Sequence, residues 1–163
     1  LAAAKASGTL DEAICAERDR QVAVQLTPPE IAEKLDVRRI RRFAESDAFA
    51  RICAADAVLR ELAFITALPA SAVLAAQGSA APEGEAANAS VLVQGIADIV
   101  LIFPDHLELL DYKTDRRKTE ADFLAAYRAQ LNLYALAIDK RFAPKKVTYK
   151  GIYSLELGKL IEV

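Results

Sequence analysis

Apolar and polar positions change their period along the chain, and the change falls near Ala57. Upstream the spacing is helical. Residues 10–24 are rich in alanine, with Leu10, Ile14 and Val22 as the larger apolar positions. Thr27-Pro28-Pro29-Glu30 reads as a helix start, with Thr27 as cap, Pro28 at the first helical position and Glu30 completing a capping box. That helix is expected to end near Leu35. Asp36 is placed to cap the next helix, in which Val37, Ile40 and Phe43 share one face and Arg38, Arg39, Arg41 and Arg42 occupy the other. Ser46 or Asp47 opens a further helix through Phe49 and Ile52.

Downstream of Ala57 the pattern turns to strands. Residues 57–66 are apolar enough for one strand, and residues 91–103 form the longest apolar strand pattern in the chain. Pro104-Asp105-His106 reads as a turn and residues 107–114 as the returning strand, which makes 91–114 a β-hairpin. Between them, residues 69–90 are dominated by Ala, Gly, Ser and Pro and offer little bulk to bury, so they are expected to be mostly loop. Thr119 and Asp122 have capping-box spacing before a helix that runs to about Lys140. Residues 147–156 read as a further strand, and Leu157-Gly158-Lys159 as a turn into a short terminal one. The order, helices followed by β-β-β-α-β, predicts an α/β domain with a mixed sheet and a helical N-terminal segment. One domain is expected over 1–163, with 1–56 as its helical part and 57–163 as its αβ core.

Composition narrows the function classes. The chain has 163 residues, 53% hydrophobic and 27% charged, enough for a sizeable core. Lys and Arg number 21 against 23 Asp and Glu, a net charge of -2, which argues against a nucleic-acid binder driven by a global positive field and leaves room for a local basic face. No apolar run approaches the roughly 18 residues that span a bilayer, so no membrane role is expected. Cys15 and Cys53 are far apart and have no Cys or His companions, which speaks against a disulfide framework, a structural zinc site or an iron–sulfur cluster and for a reducing cytoplasm. With no methionine and a Leu1-Ala2-Ala3-Ala4 start, the chain reads as a piece of a longer polypeptide.

The candidate chemistry sits in the hairpin. Positions i and i+2 of a strand share a face, so Asp111 and Lys113 project together with Tyr112 opposite. Asp98 lies on the neighbouring strand, three residues after Gly95, and a glycine inside a strand marks a bend or a close backbone approach. Two carboxylates converging beside one ammonium make a plausible Mg²⁺ site, because that ion takes few protein oxygens and fills the rest of its shell with water and phosphate. An isolated acidic-x-Lys triplet is expected by chance roughly once per 150 residues. Here, however, both acids lie in apolar strands, where a carboxylate is costly unless paired or ligated. On the following helix Gln130 and Tyr134 are four apart and share a face with Tyr127. Two readings of that face stand side by side: a core stripe with one buried amide, or a stripe from which Gln130 reaches a phosphate or a water.

The runs GIADIV, LLDYKTDR and YRAQLNLYALA together resemble the RecB-type nuclease branch of the PD-(D/E)xK superfamily, whose pattern is Gly-x-x-Asp, acidic-x-Lys and Gln-x-x-x-Tyr. Within that branch the likeness is greatest to the C-terminal nuclease domains of AddA subunits of bacterial AddAB helicase–nucleases. Leu26 through Glu30 resembles their LTPEE segment, Phe43 through Phe49 their FFxS helix, and Arg60 through Phe64 with Leu68 through Ser71 their REFPF and LPAS stretches. The resemblance implies a restriction-endonuclease-like core and a cytoplasmic bacterial enzyme. It would be a metal-dependent exodeoxyribonuclease cutting single-stranded DNA delivered by helicase domains N-terminal in the same polypeptide, with an AddB-type partner, in recombinational repair of double-strand breaks. The alternative is a catalytically silent docking or DNA-binding module of the same complex.

Carried over residue by residue, the resemblance makes Asp98 and Asp111 metal ligands, with the backbone carbonyl of Tyr112 completing the set, for Mg²⁺ or Mn²⁺ as its substitute. Lys113 becomes the catalytic lysine, and Gln130 and Tyr134 the supporting helix motif. Glu61 is either an outer acid of the metal site or one half of a strand-end salt bridge. The family also carries a ligand histidine in a Gly-Thr-x-x-His helix. Here Gly8-Thr9 is followed by Glu12 at that spacing, and the histidine helix is expected to precede Leu1. The one histidine, His106, is expected to be an exposed turn residue with no metal role. Arg116, Arg117 and Lys118 follow the catalytic strand and could meet DNA phosphates, which positions a strand without reading its sequence. The basic residues between Lys140 and Lys150 are a weaker second group, with a solvated face as the competing reading, and the Arg38–Arg42 cluster could equally face another domain.

Overall fold

A computed structural model describes residues 2–80 and 84–163. Five helices come first: α1 (Ala2–Ser7), α2 (Leu10–Ala23), α3 (Pro29–Ala32), α4 (Val37–Ala44) and α5 (Asp47–Ala54). Then follow β1 (Ala57–Pro69), α6 (Ala70–Ala76), a 3-10 turn (Gly84–Asn88), β2 (Ser90–Ile102), β3 (Leu107–Lys113), α7 (Glu120–Arg141), β4 (Val147–Ser154) and β5 (Lys159–Glu162). The five strands form one mixed sheet in the order β1-β2-β3-β4-β5. Only β3 and β4 run parallel, joined by the α7 crossover, and the other pairs are antiparallel.

The sheet is covered on both faces. Against one face lies α7, about 33 Å long at 1.5 Å per residue, with Phe123, Leu131 and Ile138 fully buried on Val100, Leu107, Leu109 and Ile152. Against the other lie α4 and α5. Phe43 of α4 meets the rings of Tyr112 and Tyr153 edge-on at centroid distances of 5.4 and 5.0 Å. Ile52 joins Ile99, Leu101 and Leu110 on that side. Arg51 reaches the buried carboxylate of Glu108 at 2.6 Å while its guanidinium covers the Tyr149 ring at 3.6 Å. Helices α4 and α5 are therefore part of the sheet's packing, and α2 packs in turn on α4 through Leu10, Ile14 and Ala44. Three of the arginines on the polar face of α4 are engaged inside the molecule: Arg39 pairs with Glu156, Arg41 with Asp11, and the Arg42 stem lies against Gly158.

Local chemistry explains most element boundaries. The Asp36 carboxylate accepts from Arg38 N, and the Ser46 hydroxyl from Phe49 N. Thr119 and Asp122 form a reciprocal capping box at the start of α7. The expected Thr27–Glu30 box does not form. Pro29 takes the first helical position and holds Pro28 extended, which moves the cap one residue on, and the Thr27 hydroxyl donates to Gln21 instead. The expectation of a loop over 69–90 is corrected as well. Pro69 ends β1, and the alanines that follow make helix α6, whose small side chains sit close to α7. Asn132 of α7 donates to the carbonyl of Ala76 at the end of α6. Residues 81–83 of that stretch lie outside the described residues. His106 is also less exposed than its turn position suggested: it stacks on Phe103 at 4.5 Å and its Nδ1 sits 2.7 Å from Asp105.

The basic residues at the end of α7 close an edge of the sheet. Lys140 donates to the carbonyl of Ala67 at 2.8 Å and Arg141 to that of Ala63 at 2.9 Å, so two acceptors of the edge strand β1 are answered by side chains. Lys145 donates to Phe103 O, and Lys146 pairs with Asp139. These residues are tied to the fold by side-chain bonds while Lys140, Arg141 and Lys146 stay exposed. Among the described residues no helix is long and apolar enough to cross a membrane.

The capping box yields a test. Thr119→Ala is expected to cost about 1 kcal/mol in chemical denaturation at pH 7. The Thr119 backbone N–H and hydroxyl hold the Asp122 carboxyl below its usual value of 3.8. Its folded pKa is thus depressed, so its contribution is present above pH 4 and fades as pH falls below that value. The penalty of Thr119→Ala should shrink accordingly when the same denaturation is run near pH 3.

Candidate active site

Strands β2 and β3 pair only from Ile99–Ile102 against Leu107–Leu110. Beyond Leu110, β3 continues to Lys113 beside β4 alone, while the earlier half of β2 stays with β1. The hairpin therefore opens, and the candidate residues stand at the mouth of the opening. Asp98 is the first β2 residue past the last pair. Its Oδ2 accepts a hydrogen bond from Tyr112 N at 2.9 Å, replacing the ladder partner that β3 has lost.

The apolar pattern shows how the strands reach this geometry. Val91, Val93 and Ala97 of β2 face α7, but so do Val100 and Ile102, so the alternation shifts phase across Asp98–Ile99. The partner strand shifts at the same level: Leu62, Phe64 and Leu68 face α7, and so does Leu59. Within that step Glu61 adopts a left-handed backbone with φ of 50°, an unusual conformation for a residue with a side chain. It is exposed and takes the register place opposite Asp98, between the pairs Arg60–Ile99 and Leu62–Ala97.

On β3, Leu109, Asp111 and Lys113 share the face turned toward α7, and Tyr112 points to the other. Asp111 is 4% exposed. The Lys113 ammonium approaches its Oδ2 to 2.5 Å, yet that oxygen has no partner in hydrogen-bond geometry and is out of reach of solvent. Burial pushes the Asp111 carboxyl above its usual value, Lys113 pulls it back, and the neighbouring Asp98 charge pushes it up again. The Tyr112 phenol is pushed up to about 12 by its burial under α4.

Helix α7 supplies the rest of the site. Tyr134 packs edge-on against Phe64 with centroids 5.0 Å apart, and both rings press on Gly95. A Cβ at residue 95 would lie 2.8 Å from Phe64 Cζ and 2.9 Å from Tyr134, so the glycine is required for helix and strand to close on each other. Gln130 is half-buried one turn before Tyr134, and none of the hydrogen bonds that hold Asp98 or Tyr127 runs through its amide. Tyr127 stands under Lys113, with the ammonium 4.5 Å from its ring centroid. Arg116 and Arg117 are exposed on the segment leaving β3. Lys118 is not a free cation there: it pairs with Asp115 at 2.7 Å, because Asp115 lies one turn away on the same bend.

The structure thus brings together Asp98, Asp111 and Lys113, with Tyr134 as a packing brace. The pair of Asp115 and Tyr127 was not singled out from the sequence as part of the site. Its signal is a tyrosine one helical turn before Gln130, with an acid just past the strand.

The donor set fits a hard divalent cation. It offers two hard oxygen donors, the buried Asp111 carboxylate beside Lys113 and the Asp98 carboxylate on Tyr112 N. Among the described residues no group of three or more His, Cys, Asp or Glu side chains gathers. Glu12, at the family's histidine spacing, lines a depression with Lys5, Asp11, Arg41 and Glu45 at the start of α2 and the end of α4.

Comparison with known proteins gives a consistent set of likenesses. A family model described as the PD-(D/E)XK nuclease superfamily matches residues 2–159. The chain is 34% identical over 158 residues to the ATP-dependent helicase/nuclease A subunit of Ligilactobacillus salivarius, covering 93% of this chain and 12% of that protein. Proteins of the same name from Heliobacterium modesticaldum and Carboxydothermus hydrogenoformans are 33% and 31% identical over 94% and 91% of the chain, and 11% and 12% of their own lengths. The chain thus spans little more than a tenth of the length of these relatives.

Gly95 offers a direct test of the brace. Gly95→Ala is expected to destabilise the fold by about 1–3 kcal/mol through overpacking. A Tyr134→Leu background removes one of the two close contacts and leaves Phe64, so a double-mutant cycle by urea denaturation should return a coupling of at least about 0.5 kcal/mol.

Proposed function

The chain belongs to the PD-(D/E)XK nuclease superfamily, and we propose that it is a nuclease domain that hydrolyses DNA phosphodiesters at the mouth of the β2–β3 opening. The observation that carries this reading is the buried Asp111 carboxylate. One of its oxygens lies 2.5 Å from the Lys113 ammonium, and a second carboxylate, Asp98, stands across the opening on Tyr112 N. A buried ion pair is weak evidence of a role in stability, and active sites are where buried carboxylates are gathered beside a lysine and a second acid.

In this reading Asp98, Asp111 and the Tyr112 carbonyl hold a divalent ion, Mg²⁺ or Mn²⁺. When bound, that ion supplies Lewis acidity toward the attacking water and the phosphate oxygens. Lys113 stands beside Asp111, where its ammonium orients the water and stabilises charge developing on the phosphate. Tyr134 keeps α7 seated on Gly95, Gln130 faces the site as a supporting amide, and Glu61 at the phase shift is an outer acid. Arg116 and Arg117 offer exposed charge for backbone phosphates. Residues 1–56 form the helical part of the same domain, supported by the packing of Phe43 and Arg51 on the sheet.

The likeness to helicase/nuclease A subunits supports a finer proposal. The domain acts as an exonuclease on single-stranded DNA released by helicase domains of an AddA-type polypeptide, beside an AddB-type partner, during recombinational repair in a bacterial cytoplasm. A second reading, a silent docking module of that complex, is favoured by one observation: no third acidic, His or Cys side chain joins the pair of carboxylates among the described residues.

Calorimetry and cleavage separate the two. Titration of the chain with Mn²⁺ is expected to show binding that Asp111→Ala abolishes. Cleavage of end-labelled single-stranded DNA by the complete protein is expected to stop on chelation with EDTA and to fall roughly 10²- to 10³-fold in Asp111→Ala and Lys113→Ala. Unchanged cleavage in both variants would sink the nuclease reading. Absence of both Mn²⁺ binding and cleavage would leave the docking module.

A further inference from the structure

Lys113 is answered on one side by Asp111, and its other side meets an aromatic ring. The ammonium lies over Tyr127 at 4.5 Å from the centroid, within cation–π range. A lysine stem has four flexible carbons, and contact with a single carboxylate leaves the ammonium free to swing about it. A ring face behind it removes much of that freedom.

The ring is itself held. The Tyr127 hydroxyl donates to Asp115, 2.9 Å from each carboxylate oxygen. Asp115 also takes Lys118 at 2.7 Å, and the Lys118 ammonium lies 4.9 Å from the same ring. Lys118 and Tyr127 together hold the Asp115 carboxyl below its usual value. Asp115 follows Lys113 by two residues, so its bond to Tyr127 closes a short loop from the end of β3 back onto α7. The hydroxyl is committed to that loop, and only the ring is offered to Lys113.

We infer that Tyr127 is a positioning residue for Lys113, its ring setting the direction of the ammonium and its hydroxyl locked by Asp115. The inference rests on the nuclease reading for its consequence in catalysis and on geometry alone for the placement. The ring and the hydroxyl make separable contributions. Phe at residue 127 keeps the ring face and loses the lock, whereas Leu loses both.

The test has two independent readouts. In the chain labelled with ¹³C-lysine, the Lys113 ε-methylene resonance, assigned by its disappearance in Lys113→Arg, is expected upfield of ordinary lysines because of the Tyr127 ring current. It should stay upfield in Tyr127→Phe and return to the ordinary position in Tyr127→Leu. In cleavage of single-stranded DNA by the complete protein, Tyr127→Leu is expected to lower kcat about 10- to 100-fold at unchanged KM, as misplacement of a catalytic group does, with Tyr127→Phe losing less. If Tyr127→Leu fails to fold, Tyr127→Met, of similar volume and without a ring, carries the same comparison. An unshifted Lys113 resonance in the wild type, or full kcat in the ring-less variant, overturns the inference. Full cleavage in Lys113→Ala overturns the nuclease reading instead, while the resonance still decides the placement.

Discussion

The hydrogen bond from Tyr112 N to the Asp98 carboxylate stands where the sheet gives up its own ladder. Two antiparallel strands that part in the interior would each leave donors and acceptors unanswered, at a cost of about 1–3 kcal/mol per buried group. Asp98 answers one of them with a side chain. The opening can then persist, with β2 held by β1 and β3 held by β4 over its whole length. Every other feature of the site depends on that parting. It admits Asp111 and Lys113 to a common mouth, and it lets the α7 face of β3 meet Tyr127.

The two covered faces divide the work. On one, Phe43, Ile52 and the Arg51–Glu108 pair hold α4 and α5 onto β3 and its neighbours. On the other, α7 is seated at its start by a capping box and by the Lys159–Glu120 pair, and near its middle by the Gly95–Phe64–Tyr134 contact. Its last turn caps the carbonyls of β1. A helix fixed along its length against four strands can hold a side chain such as Tyr127 in place better than a loop can. Burial of a carboxylate is costly, and the Lys113 ammonium beside Asp111 offsets part of that cost.

The local parts of this arrangement were legible in the chain. Asp36 and Ser46 cap as their types require, Thr119 and Asp122 form the box that their spacing announces, and Gly95 marks a close approach. The β-β-β-α-β order and the family both follow from patterns of period two and 3.6 with three short motifs between them. Other parts were hidden because they depend on partners remote in sequence. Helix α6 lacks bulk and looked like loop, but small residues are what a close neighbour such as α7 selects. Thr27 lost its cap role to a proline pair that shifts the helix start by one residue. The pairing of Lys118 with Asp115 beside Tyr127 was hidden for the same reason.

By itself the sequence determined most of the helices and strands, α6 excepted, which faces are apolar, and that two acids and a lysine lie on adjacent strands. Those follow from side-chain volume, capping groups and backbone preference, all of which act over a few residues. Only the tertiary structure decided that β2 and β3 part at Asp98, that both β1 and β2 shift phase at that level, and that the basic end of α7 closes a sheet edge. It also decided that a tyrosine 14 positions downstream stands behind the lysine. These depend on hydrogen bonds and burial shared between residues far apart in the chain, and such energies exist only once the sheet and its covering helices have come together.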